Sequence, residues 1–221
     1  MISIARPPRG GQTTVDFRPL FDPGAYAADI PLRIDFDGAM QFIRDVVAPH
    51  GCGYGNVVAI PPDSGKCVGI GFDGRDLDGV GAFVEAHAKD NLYWSVNPTH
   101  RPVHGKPKKP DIAAMCWAHL DFDNSSPEAL ARLRQLRPTL IIFTGGGYGA
   151  FWRLNQPIRV NGNLDVLERV NNHLIDICGA GKGTQNLDRL MRLPATINWL
   201  SRTKRAKGRK PAATYIVEYH A

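Results

Sequence analysis

Two hydrophobic periods alternate along this chain, and each predicts its own kind of element. Met40, Ile43, Val46 and Val47 fall three or four residues apart, the spacing of a helix face. Asp35 or Asp37 can cap that helix and Gly51 can end it. Asp78–Lys89 carries a second helical pattern. Ser126-Pro127-Glu128 opens a third, with a capping hydroxyl, a proline in the first turn and an acid near the positive helix end. Leu130, Leu133 and Leu136 form its buried face. Asn163–Cys178 has the strongest pattern: Leu164, Leu167, Val170, Leu174 and Ile177 lie on one side and Gly179 follows the end.

Short apolar or alternating runs predict strands at Val57–Ile60, Cys67–Phe72, Leu92–Val96, Met115–Asp123, Thr139–Phe143 and Tyr148–Leu154. Gly145-Gly146-Gly147 joins the last two as a hairpin. His100–Pro110 is a basic, proline-rich loop. Residues 1–30, rich in Pro, Gly and small polar side chains, predict an N-terminal arm, and residues 31–221 one domain. Helices mixed with hairpins, without an internal repeat, predict an α/β or α+β architecture.

Composition adds bounds. The 221 residues are 43% hydrophobic, enough for a real core. No apolar stretch reaches the ~20 residues of a membrane span, and the N-terminus lacks the apolar centre of a signal peptide. Cys52, Cys67, Cys116 and Cys178 lack CxxC spacing and read as reduced core thiols of a cytoplasmic protein. The net charge is +6, concentrated in one segment: Lys182–Lys210 holds nine Lys/Arg residues and one acid, Asp188. Such clustering suits a phosphate-rich partner, although a solvated basic surface would look the same.

The candidate chemistry centres on Asp121-Phe122-Asp123. Residues two apart on a strand share a face, so the two carboxylates would project together, roughly 7 Å apart at Cα. Hard oxygen donors so placed suit Mg²⁺ or Mn²⁺ and begin many phosphoryl- and nucleotidyl-transfer sites. A strand-end turn with two solvated acids is the plain alternative. Thr144, Gly145, Gly146 and Gly147 offer backbone N–H groups that suit a phosphate. Asp188 could add a third carboxylate. Arg189 and Arg192, three apart, would share a face of a helical turn and hold a triphosphate or a template phosphate. Lys204, Arg205, Lys207 and Arg209 could then track a nucleic-acid backbone. His119 shares the face of the acids, as a second group at the site or as a satisfied core histidine. Gly179–Gln185 resembles a kinase phosphate loop but lacks the required first glycine, a preceding strand and a following helix.

Three stretches together resemble the primase–polymerase superfamily, in particular the RepB-like primases of plasmids and phages. They are Asn91–Asn97 leading through Lys109-Pro-Asp-Ile112 to His119-Leu-Asp-Phe-Asp123; Thr144–Leu154; and Thr184–Asn198 followed by Lys204–Arg209. The resemblance covers about residues 35–215. It implies a mixed α/β core with an RRM-like antiparallel or mixed sheet flanked by helices. It implies a DNA primase or primase-polymerase: a nucleotidyltransferase of a plasmid, phage or other mobile element, using two divalent metals, Mg²⁺ or Mn²⁺. Asp121 and Asp123 become metal ligands, Thr144–Gly147 borders the nucleotide, and Arg189 and Arg192 face phosphates. The implied partners are a single-stranded DNA template and nucleoside triphosphates, with a replicative helicase as a further candidate.

Three positions depart from the family pattern. Gly149 stands where a His or another polar residue is usual, Gly181 where many members have an Asp, and Ala195 where the glycine of Pro-Gly-Thr is expected. If the missing acid is the third metal ligand, Asp188 would have to replace it. The alternative is a catalytically silent, primase-like module that binds nucleic acid and recruits replication partners.

Overall fold

A computed structural model describes residues 32–48, 51–75 and 77–220, so the expected arm over residues 1–30 lies outside the described residues. Asp35 caps α1 (Phe36–Phe42) by accepting a hydrogen bond from the Gly38 N–H, as the sequence predicted, and the helix continues in a π-helical turn over Ile43–Val47. Then follow β1 (Gly55–Ile60), β2 (Val68–Phe72), α2 (Asp78–Ala86), β3 (Asn91–Ser95) and β4 (Ala114–Phe122). Ser126 caps α3 (Pro127–Gln135), and β5 (Leu140–Phe143) and β6 (Tyr148–Arg159) form the expected hairpin. Next come α4 (Leu164–Cys178), β7 (Leu190–Arg192), β8 (Ile197–Asn198), α5 (Arg202–Ala206), β9 (Ala212–Ala213) and β10 (Tyr215–Tyr219).

The strands make two four-stranded sheets, in the orders β2-β1-β3-β7 and β10-β5-β6-β4, and a small β8-β9 ladder. All their pairings are antiparallel. The mixed α/β class with helix-flanked sheets is therefore as expected. Two cores hold the layers together. One joins α1 and α2 to the facing sides of both sheets through Phe42, Val57, Trp94, Trp117, Ile142 and Phe151. The other places α3 and α4 over the far side of the second sheet, against Leu120, Phe122, Ala150 and Trp152.

Helix α4 corrects the expected face. Ile177 is exposed and Leu164, Val170 and Leu174 are only half-buried. The buried positions are Leu167, Glu168, Asn171, Ile175 and Cys178. The reason lies in β4, an edge strand whose outer backbone groups need partners. Asn171 Oδ1 accepts from the His119 N–H (3.0 Å), and Asn97 Oδ1 accepts from Cys116 and Trp117 (2.8 and 3.1 Å) at a bulge in the strand. Two buried side-chain amides thus replace part of a neighbouring strand, and α4 turns a polar residue inward to supply one of them.

Candidate active-site cleft

β4 ends at the two acids. Asp121 pairs with Gly149 across the β4–β6 ladder, and Asp123 follows the last strand residue. Asp121 is half-buried and Asp123 exposed. Burial raises the Asp121 pKa; the Arg189 guanidinium opposes that rise and the nearby Asp123 charge adds to it. Arg189 donates to Asp121 Oδ2 at 2.7 Å. Its Nε is buried with no hydrogen-bond partner among the described residues.

Arg189 reaches Asp121 because the segment before it is fastened to α4. Glu168 accepts from the Leu187 N–H (3.1 Å) and from Lys109 Nζ (2.7 Å). Asn171 Nδ2 donates to Gln185 O (2.8 Å) and to His119 Nδ1 (3.2 Å). His119 Nε2 faces Thr184 O at 3.2 Å. A carbonyl can only accept, so the proton sits on Nε2 and Nδ1 is the acceptor. His119 is fully buried, and desolvation lowers its pKa to about 4. It is the satisfied core histidine of the two readings, and it ties residues 184–189 to β4.

Arg192 comes from the other sheet. It lies on β7, opposite Tyr93 on β3, with its guanidinium 4.5 Å from the centre of the Tyr93 ring and bonded to Asn91 Oδ1. Asp121 and Arg189 both act electrostatically on Tyr93, so its phenol shares their surroundings. The expected helical turn around Arg189 and Arg192 is instead a strand-leading segment. Leu190–Arg192 adds to the free edge of β3, where ladder hydrogen bonds outweigh the local helical spacing. Both arginines still act on Asp121, Arg189 by direct contact and Arg192 electrostatically from the other sheet.

The glycine turn packs against the end of β4 beside the acids. Gly145 has φ 86°, a value glycine adopts without strain. A Cβ at Gly147 would lie 2.2 Å from Phe122 O and 3.0 Å from Asp123 Cα, so only glycine lets the turn close against the acids. Asn198 Nδ2 donates to Thr144 O (2.8 Å), and its Oδ1 is buried without a partner among the described residues.

The three departures now have physical readings. A side chain at Gly149 would meet Met191 Cε at 2.8 Å, so the Met191 methyl fills that space. Gly181 is exposed in an open loop, with nothing within 4 Å of an added Cβ. Ala195 sits at φ 63°, a left-handed conformation in which glycine would be unstrained.

Asp188 is half-buried, and its charge acts on Lys109 at the α4 side. No group of three or more His, Cys, Asp or Glu residues able to hold a metal exists among the described residues. The candidate donors nearest each other in the sequence, Asp121 and Asp123, do act on one another's charge, while Arg189 already occupies Asp121 Oδ2. Two carboxylates suit an Mg²⁺-class ion that keeps water and takes phosphate oxygens for its other positions. The residues present fit such a cation without Asp188.

Beyond β8 the chain runs out along α5 and returns in β9, carrying the basic residues. Lys204, Lys207 and Arg209 are exposed, with no ion pair among the described residues. Arg205 differs from the expectation of a free phosphate contact: it pairs with Asp63 (2.8 Å) and donates to Leu200 O (2.7 Å). Gly179 is the left-handed C-cap of α4, not the end of a strand, so the phosphate-loop alternative is excluded. Asn91, Tyr93 and Asn198 received no role from the sequence. Their only signal was their place within the stretches Asn91–Asn97 and Thr184–Asn198 that carry the resemblance.

No family model matches the sequence, and no curated protein does either. Solved structures match its fold. The AEP domain of the cyanophage S-2L primase-polymerase superposes with a TM-score of 0.60 at 17% identity, over 84% of this chain and 91% of that one. The primase RepB′ gives 0.57 at 14%, over 82% of this chain and 57% of that one. The catalytic domain of RepB′ in complex with initiator DNA gives 0.56 at 14%, over 83% and 86%. The chain thus has the fold of primase-polymerase catalytic domains, as the three sequence stretches implied.

Proposed function

We propose that this chain is a template-directed nucleotidyltransferase, the primase-polymerase domain of a plasmid, phage or other mobile element. One observation carries the reading: within this fold, Asp121 is in contact with Arg189 and within electrostatic reach of Asp123 and Arg192, and Gly147 lets the glycine turn close against Phe122 and Asp123. Asp121 and Asp123 would hold Mg²⁺ or Mn²⁺; when bound, such ions activate the attacking hydroxyl and neutralise triphosphate charge. Arg192, already oriented by Asn91 and Tyr93, presents its fork to phosphate oxygens. Arg189 balances Asp121 and is placed to turn toward a phosphate. The Thr144–Gly147 turn borders the incoming nucleotide. Lys204, Lys207 and Arg209 extend the positive surface toward a single-stranded DNA template. A replicative helicase is the natural next partner for a primer made there. No helix among the described residues is long and apolar enough to cross a membrane. A cytoplasmic location fits this role.

The silent-module reading also has an observation in its favour: Arg189 already neutralises Asp121, and Asp188 joins no three-acid group with the pair among the described residues. Primer synthesis on single-stranded DNA, first with Mg²⁺ and then with Mn²⁺, separates the two. Incorporation that disappears in Asp121→Asn supports the enzyme. DNA binding without incorporation in either metal supports the silent module.

A further inference from the structure

Away from the cleft, two cysteines meet. Cys52 lies in the bend before β1 and Cys116 in β4; they are 64 residues apart in sequence, yet their Sγ atoms are 3.3 Å apart. The sequence suggested unconnected core thiols. All four cysteines are free, but only Cys116 and Cys178 are buried. Cys52 is half-exposed between two glycines, Gly51 at φ 58° and Gly53 packed against Thr99 O. Cys116 sits at the β4 bulge, its N–H held by Asn97.

We propose that Cys52 and Cys116 are a redox-active dithiol that a hydroperoxide closes to a disulfide, stapling the first sheet to the second. The separation exceeds an S–S bond of about 2.05 Å by little more than 1 Å. The Cys52 bend is the side free to move, because Cys116 is fixed in a strand. The asymmetry of the pair assigns the roles. The hydrogen bond with the Cys116 thiol lowers the Cys52 pKa against the opposing effect of burial, with the Arg159 charge adding to the lowering. The Cys116 thiol is held up by the same bond and by burial. Cys52 is therefore the accessible thiolate and Cys116 the resolving thiol.

The chemistry balances in two steps. The Cys52 thiolate attacks a peroxide oxygen; the O–O bond breaks, Cys52 becomes a sulfenic acid, and the departing oxygen takes a proton as water. Cys116 sulfur then attacks Cys52 sulfur; the S–S bond forms, the S–O bond breaks, and hydroxide leaves with the thiol proton as a second water. The two sulfurs together lose two electrons and hydrogen peroxide gains them. The bond would join the start of the first sheet to the strand that ends at Asp121. This inference is independent of the nucleotidyl-transfer reading.

Stoichiometric hydrogen peroxide on the native full chain, followed by alkylation and peptide mass mapping, tests it. The expected product is a Cys52–Cys116 peptide pair lighter by two hydrogens and restored by dithiothreitol. The melting temperature should rise by about 5 °C or more, because a long loop is closed. Cys116→Ser should leave Cys52 as a sulfenic acid that dimedone traps. Cys52→Ser, at the exposed position, should abolish the cross-link even if the buried substitution impairs folding. Replacing Cys67 and Cys178 with Ser should leave it unchanged. A Cys52 that goes on to sulfinic acid beside a free Cys116, or that pairs with Cys67 or with another chain, overturns the proposal.

Discussion

The cleft and the basic arm of residues 202–210, on and just after α5, carry the same kinds of charge under opposite conditions. In the cleft the half-buried charges are held by named partners: Arg189 and Asp121 by each other, Arg192 by Asn91 and Tyr93. On the arm, Lys204, Lys207 and Arg209 stand in solvent, and only Arg205 is tied down. A desolvated charge is tolerated only when it is paired or hydrogen-bonded. Solvated charges need no partner, and their effects fade with salt. The cleft is therefore built for position and the arm for long-range attraction. Substitutions in the two regions should differ in kind as well as in size.

The largest effect is expected at the bottom of the cleft. Asp121→Asn should lower nucleotide incorporation by at least about 100-fold, the scale of losing a key charge-stabilising group. DNA affinity should change by less than about threefold, measured by fluorescence anisotropy. The same substitution leaves Arg189 without its counter-charge and should cost roughly 1–3 kcal/mol in a denaturant titration. Asp188→Ala is expected to spare most of the activity, since Asp188 forms no three-acid group with Asp121 and Asp123 among the described residues. A loss as severe as that of Asp121→Asn would restore it as a metal ligand.

Behind the cleft, His119 should make the fold sensitive to acid. Its folded pKa of about 4 lies below the unfolded value of about 6.5. The unfolded chain binds the proton first, so stability falls as pH drops from about 6.5 to about 4 and then levels off. The integrated loss is roughly 3 kcal/mol. Chemical denaturation at a series of pH values checks this, and His119→Gln should flatten that part of the curve. No comparable dependence is expected from the arm.

On the arm, salt should reveal what pH does not. Replacing Lys204, Lys207 and Arg209 with Ala should flatten the log–log salt dependence of single-stranded DNA binding by roughly two units, at about 0.7 per phosphate contact. Arg205→Ala should flatten it less than any of these, because its guanidinium already serves Asp63 and Leu200. Equal slopes for all four would dissolve the distinction between the tethered and the free charges.

The smallest effect lies between the two regions. Ala195 adopts a left-handed conformation that costs a non-glycine residue roughly 1 kcal/mol. Ala195→Gly should therefore raise stability by somewhat less than that, since glycine also loses more backbone entropy on folding. A fall in melting temperature would show that the Ala195 methyl, 3.2 Å from the position of a Cβ on Gly38, contributes more by packing than its backbone costs.

Local pattern alone was enough for most elements. The Asp35 and Ser126 caps, the Gly179 stop, the β5–β6 hairpin and the apolar run ending at Asp121 all follow from residues within one or two turns of each other. Caps, turns and period-two strands are short-range interactions, so neighbours in sequence specify them. The strand that carries Asp121 was legible for the same reason, although it ends at Phe122, one residue short of Asp123.

What required tertiary structure is every feature in which a distant partner outweighs local preference. Arg189 and Arg192 share a helical spacing, yet β3 offers Leu190–Arg192 an unpaired edge, and the ladder decides. The leucines of α4 mark a face that the fold only half uses, because the open edge of β4 needs the Asn171 amide. Arg205 looked like its neighbours until Asp63, 142 residues away, claimed it. Asp188 is the acid next to Arg189 in sequence, yet the arginine pairs with Asp121, 68 residues away. Cys52 and Cys116 meet only because two sheets close on each other. In each case the deciding interaction is a buried or charged contact across long sequence separation, and no periodicity along a single segment records it.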